Sequence, residues 1–209
     1  MRYLVLIVVV VFLLTFLALP RNGAGWFWDI GGAMGYLALA GLLFQMIPRA
    51  HAMMLKRHEN LGYGVLGIAL LHAFWLLIGD GTVRYYLLPG APLYMWLGLC
   101  ALLALVLLTV LARFPDRLRV HPRFQDFRLT HRILGAIVVV TAGLHVILSG
   151  FYLPEWWQAG VLVGAAAVFT LWRGLWRRPR EVPTGTLTAF AVIGVAAIAA
   201  FVIVRSLTA

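Results

Sequence analysis

The sequence predicts an all-α, multi-pass integral membrane helical bundle of about seven transmembrane helices. Three observations carry that expectation. Of 209 residues, 63% are hydrophobic and 11% charged, with a mean hydropathy of +0.96, whereas soluble domains are close to half apolar and about a quarter charged. The apolar residues fall into seven runs, each about as long as a helix needs to cross a hydrocarbon core roughly 30 Å thick. The basic residues gather in alternate connecting segments, as they do when a chain passes back and forth across a bilayer.

The first run, 3–20, resembles a signal-peptide core, but it is long and no A-x-A-like cleavage site closes it, so it reads as an uncleaved span. The second, 28–48, follows Trp26 and Trp28 and ends at the basic stretch "RAHAMMLKR" (49–57). The third covers 59–79. The fourth covers 91–112. The fifth covers 131–151 and the sixth, 157–176, follows "LPEWWQ" (153–158). The seventh, 186–206, is rich in Ala, Gly and Val, follows "RGLWRRPREVPTG", and offers a surface for a partner subunit.

Fourteen of the 17 basic residues lie at Arg2 and in the segments 49–57, 113–132 and 173–180; the rest are Arg21, Arg84 and Arg205. By the positive-inside rule that side is cytoplasmic, with the N-terminus inside and the C-terminus outside. The expected location is the inner (cytoplasmic) membrane of a bacterium. The net charge of +10 is then a topology signal and a contact for lipid headgroups; docking of an acidic cytoplasmic protein is the sharper alternative, and nucleic acid is not an expected partner. Trp26, Trp28, Trp156, Trp157, Trp172 and Trp176 stand where spans meet the interface, an aromatic belt. Trp75 and Trp96 fall deeper, against lipid, a helix or a flat cofactor. Cys100, the single cysteine, reads as a buried small apolar residue. No Gly-rich nucleotide fingerprint occurs in a strand-turn-helix setting.

The third and fifth spans repeat one another. Residues 58–74, "HENLGYGVLGIALLHAF", and 131–147, "HRILGAIVVVTAGLHVI", both fit His-x-x-Leu-Gly-x8-Leu-His, and four of the chain's six histidines fall on the pattern. Fourteen residues rise about 21 Å and turn about 1400°, some 40° short of four full turns, so both histidines of a helix share one face. One span separates the two motif helices, so they run parallel, with His58 level with His131 and His72 level with His145. Two histidines approaching one iron from opposite sides give a six-coordinate haem, which makes the predicted core haem-binding. Gly62 and Gly135, with Gly64, Gly67 and Gly143, remove bulk where a porphyrin or another helix comes close. All seven acidic residues fall at span ends or in loops, so a carboxylate-rich metal site at the midplane is not expected. His51 and His121 lie in basic loops outside the pattern.

The two His-x-x-Leu-Gly motifs, each with a second histidine fourteen residues on, resemble the ferric-reductase-like transmembrane domain family. That family includes ferric reductases, the membrane part of NADPH oxidases and the haem subunit of a periplasmic methionine sulfoxide reductase system. The resemblance covers roughly residues 30–176, and "GYLALAGLLFQMIPR" (35–49) fits its entry segment more weakly. It divides the chain into an N-terminal helix and outer loop (1–29), a ferric-reductase-like di-haem domain (30–178) and an extra C-terminal helix (179–209).

The resemblance implies two haem b groups stacked across the membrane. His58 and His131 would ligate the inner iron, His72 and His145 the outer, and electrons would pass outward to an acceptor on the outer side. Propionates require cationic partners, for which Arg57, Arg128 and Arg132 are candidates inside and Arg84 outside. Where ferric reductases continue into a flavin- and nicotinamide-binding domain, this sequence has another apolar span. The expected donor is therefore a separate reductase, a quinol, or FMN or FAD (or a quinone) bound at the cytoplasmic face, and no catalytic residue is expected in the chain itself. Two other readings remain: a quinol-oxidising cytochrome b, for which "LPEWWQ" resembles the quinol-site element, and a non-redox transporter or structural subunit, whose histidines would only join helices.

Overall fold

A computed structural model describes residues 2–16, 25–47, 52–113, 124–171 and 186–208, and all regular structure within them is helical. The elements are α1 (Arg2–Phe16), α2 (Trp26–Gln45), α3 (Ala52–Gly79), a 3₁₀ segment (Gly81–Leu87), α4 (Leu93–Arg113), α5 (Phe124–Ser149), α6 (Trp156–Leu171) and α7 (Leu187–Thr208). Helices α2, α3, α4, α5 and α7 are long and apolar enough to cross a membrane, while α1 and α6 are apolar but shorter. A helix suits that setting because it satisfies its own N–H and C=O groups where no water is available. His51, His121, Trp172 and Trp176 lie outside the described residues.

Helices α3 and α5 each begin seven residues before the apolar run that predicts them, at 52 rather than 59 and at 124 rather than 131. Charged residues such as Lys56, Arg57, Asp126 and Arg128 end an apolar window, but they carry good to middling helix propensity and do not break the backbone ladder. His58 and His131 therefore sit inside unbroken helices, and the fourteen-residue spacing becomes a fixed rotation and rise.

The hub of the bundle is α2. It packs on α1, α3 and α7, with smaller contacts to α5 and α6, and Tyr36, Leu37, Leu43 and Phe44 are among its buried residues. The main core joins Leu4, Val8 and Phe12 of α1, these residues of α2, Leu61 and Val65 of α3, and Phe190 and Phe201 of α7. In lipid such contacts act through close packing rather than through expulsion of water. Helices α1 and α7, set apart in the sequence at the two ends of the chain, pack on α2 and on each other. At Gly64 of α3, the space of a side chain is filled by Leu187 of α7. The opposite face of α7 remains open, with Val192, Val195, Ile203 and Leu207 exposed. Helix α4 lies along α5, so α2–α3 and α4–α5 form two hairpins.

The 3₁₀ segment joins the hairpins. Asp80 caps it, accepting from the Thr82 amide at 2.8 Å and the Thr82 hydroxyl at 2.6 Å, and these bonds hold its carboxyl below the usual range. The N-terminal end of α2 and the C-terminal end of α7 meet in a buried ion pair. Arg205 Nε donates to Asp29 Oδ1 at 2.6 Å, with both side chains about 5% exposed or less. The Tyr152 hydroxyl donates to the same oxygen at 3.1 Å, and the guanidinium lies over the Tyr152 and Phe201 rings. Burial, then the Asp29 carboxylate, push the Tyr152 phenol above its ordinary range, so it stays a donor.

One sequence expectation changes here. Cys100 is exposed on α4, facing outward rather than buried, which costs little in lipid because its surroundings are as apolar as a core. "LPEWWQ" is a helix cap: Gln158, fully buried, accepts from the Glu155 amide at 3.0 Å and donates to the Leu14 carbonyl, tying α6 to α1. Glu155 is exposed.

Candidate functional site

Each of the four motif histidines comes from α3 or α5, and the structure brings them together in two pairs. The rings of His58 and His131 have centroids 6.1 Å apart at 61°. Those of His72 and His145 are 6.4 Å apart at 74°. Pairing 58 with 131 and 72 with 145 requires α3 and α5 to run parallel. The helices do not pack along one another; they face each other across the rings, each supported by its hairpin partner.

The His72–His145 pair is anchored on both sides. His72 Nδ1 lies 2.7 Å from the Gly31 carbonyl oxygen of α2, and His145 Nδ1 lies 2.6 Å from the Tyr94 carbonyl oxygen of α4. A carbonyl can only accept, so in both rings Nδ1 carries the proton and Nε2 keeps its lone pair. One turn away, Trp75 Nε1 donates to the Phe27 carbonyl at 2.9 Å while its indole stacks on the Phe27 ring. Trp75 is thus a helix-to-helix contact, whereas Trp96 is exposed on α4.

At the His58–His131 pair, Phe127 lies against the His131 ring, 5.8 Å between centroids, and Leu108, Leu111, Thr130 and Leu134 line the recess beside it. Gln45 Nε2 donates to the His58 carbonyl at 3.0 Å. Arg57, Arg128 and Arg132 are exposed on the same end of α3 and α5, and Arg84 is exposed on the 3₁₀ segment at the other end. Nearby, Arg113 and Glu59 form an exposed ion pair at 3.2 Å, whose attraction water largely screens.

The donor set can be tested against chemistry. Two imidazole nitrogens bonding one metal ion from opposite sides, at about 2.0–2.1 Å each, place ring centroids about 6.4 Å apart. Both pairs match that spacing. Among the described residues no three His, Cys, Asp or Glu side chains converge on a common point. Two trans imidazoles suit an iron whose other ligands come from a macrocycle. A metal-ligating histidine also characteristically donates its other ring N–H to a carbonyl or carboxylate, which His72 and His145 do.

The sequence did not single out Gly31, Gly35, Tyr94 or Gly98. A side chain at Gly35 would place its Cβ 2.9 Å from His72 Cε1, and one at Gly98 would place its Cβ 2.7 Å from His145 Nδ1. The available signal was a glycine four residues beyond a carbonyl, hard to notice among 21 glycines. Of the glycines that were singled out, Gly62 and Gly135 face Gln45 and Met46, Gly64 admits α7, and Gly67 and Gly143 meet open space. A scan against protein-family models and searches of curated proteins and solved structures find no match to this chain.

Proposed function

We propose that this chain carries electrons across a membrane through two haem b groups, the inner held by His58 and His131 and the outer by His72 and His145. The observation that carries the reading is the pair of ring separations, 6.1 and 6.4 Å, on two parallel helices. The likeness of both His-x-x-Leu-Gly motifs to the ferric-reductase-like domain supports it. When bound, each haem iron alternates between ferric and ferrous and so passes one electron at a time.

The chain's own residues hold and orient. His72 and His145 present Nε2 because Gly31 and Tyr94 fix Nδ1 as the protonated nitrogen. Leu61, fully buried, and Leu134, beside His131, keep the inner level apolar. Arg57, Arg128 and Arg132 supply positive charge for propionates at the inner end, and Arg84 does so at the outer. With the basic side in the cytoplasm of a bacterium, the donor is a separate flavin reductase or a quinol, and the acceptor lies outside. The protein is then the haem-bearing membrane subunit of an oxidoreductase.

An absorption spectrum of the purified protein, with haem quantified per chain, tests this directly. The expected result is two low-spin b-type haems per chain. A colourless protein, as a transporter or structural subunit would be, ends the proposal.

A further inference from the structure

We infer that Gly35 and Gly98 are positioning residues that open a backbone carbonyl to each outer histidine and thereby lower the reduction potential of that level; the inference rests on the haem reading above. The same device occurs on both hairpins. On α2 the carbonyl of Gly31 accepts from His72, and Gly35 stands four residues on. On α4 the carbonyl of Tyr94 accepts from His145, and Gly98 stands four residues on.

The spacing has a geometric reason. In an α-helix the carbonyl of residue i points along the axis toward the N–H of residue i+4. A ring that shares that carbonyl from the side must pass where the Cβ of residue i+4 would stand. At position 35 that Cβ would lie 2.9 and 3.0 Å from Cε1 and Nδ1 of His72; at position 98 it would lie 2.7 and 2.9 Å from Nδ1 and Cε1 of His145. Carbon cannot occupy those points while the ring keeps its bond. The residues supplying the carbonyls differ, Gly31 and Tyr94, so the shared requirement is the glycine four positions later. Gly62 and Gly135, at the inner level, face Gln45 and Met46 instead.

The chemical consequence follows from the bond. An imidazole whose Nδ1–H is pulled toward a carbonyl is a more basic ligand through Nε2, and a more basic ligand favours ferric over ferrous iron. Bonds of 2.7 and 2.6 Å are short for N–H···O. The two notches therefore act together on one level of the site, and they make the two levels unequal.

The test uses the full-length chain with Gly35→Ala and Gly98→Ala, each measured alone by haem content and by a redox titration that resolves two components. We expect both haems retained, one component unmoved, and the other shifted toward easier reduction by about tenfold in its ferrous-to-ferric ratio, which is 59 mV for a one-electron couple. Two retained haems with unchanged potentials would overturn the inference and leave the conduit standing. A second measurement, ¹⁵N spectra of labelled histidine in chain produced without haem, reads the notch itself. Two rings should be locked as Nδ1–H tautomers, one released by each variant. That spectrum decides the matter if a variant keeps only one haem: a released tautomer supports the notch and an unchanged one overturns it. A parent chain that binds no haem fails the conduit reading, while the tautomers still report on the notch.

Discussion

Replacing His145 by alanine should lower haem content from two per chain to one, and the haem that remains should be the inner one. His72→Ala should give the same product, and His58→Ala or His131→Ala the complementary one, because each pair draws one histidine from α3 and one from α5. Losing an outer-shell partner of a metal site costs 10–100-fold in affinity, so losing the ligand itself should cost more. On the proposed reading, the same variants in reconstituted vesicles should stop electron flow from one face to the other, since each level would hold a single relay. His145→Gly with added imidazole should restore the second haem by returning the missing nitrogen to the vacated space. A haem count that stays at two in His145→Ala would show that the pairing is wrong.

The second large effect concerns stability. Arg205→Leu should destabilise the protein by about 3–5 kcal/mol, the usual result of stripping one partner from a buried ion pair. It leaves the Asp29 carboxylate buried with Tyr152 as its donor. Asp29→Leu should cost a similar amount by stranding the guanidinium. The double variant Asp29→Leu/Arg205→Leu should recover most of that loss, because apolar replacements of similar size can substitute for a buried pair nearly without cost. Denaturation of the four proteins in detergent completes the cycle. Losses that simply add in the double variant would mean that the contact between Asp29 and Arg205 contributes nothing specific.

Much of this arrangement is legible in the residue order, and the illegible parts share a cause. The two His-x-x-Leu-Gly-x8-Leu-His motifs are visible because histidine is rare and costly in an apolar run, so its spacing carries information. The pairing of 58 with 131 and 72 with 145 follows from helix geometry alone. What cannot be read is which apolar face meets protein and which meets lipid. Both surroundings are equally oily, so α2, the buried hub, has much the same composition as α7, which is exposed along one face. The same blindness put Cys100 in the interior. The helix starts at Ala52 and Phe124 were missed because hydropathy falls at charged residues where helicity does not. Gly35 and Gly98 were missed for a different reason: their role lies in the absence of an atom, and only the ring occupying that space reveals it.

The two-hairpin construction also sets an order of assembly. Helices α2 and α3 can join as soon as the chain has been made through Gly79, and His72 then finds the Gly31 carbonyl. Its partner does not yet exist. Only after Ser149 leaves the ribosome can α5 dock with α4 and bring His131 and His145 opposite the first hairpin. Until then the inserting chain offers single imidazoles, and single imidazoles hold a cofactor weakly. On the proposed di-haem reading, loading would then be a late event in biosynthesis. Chains truncated between residues 113 and 124 should enter the membrane without colour, even in cells rich in haem.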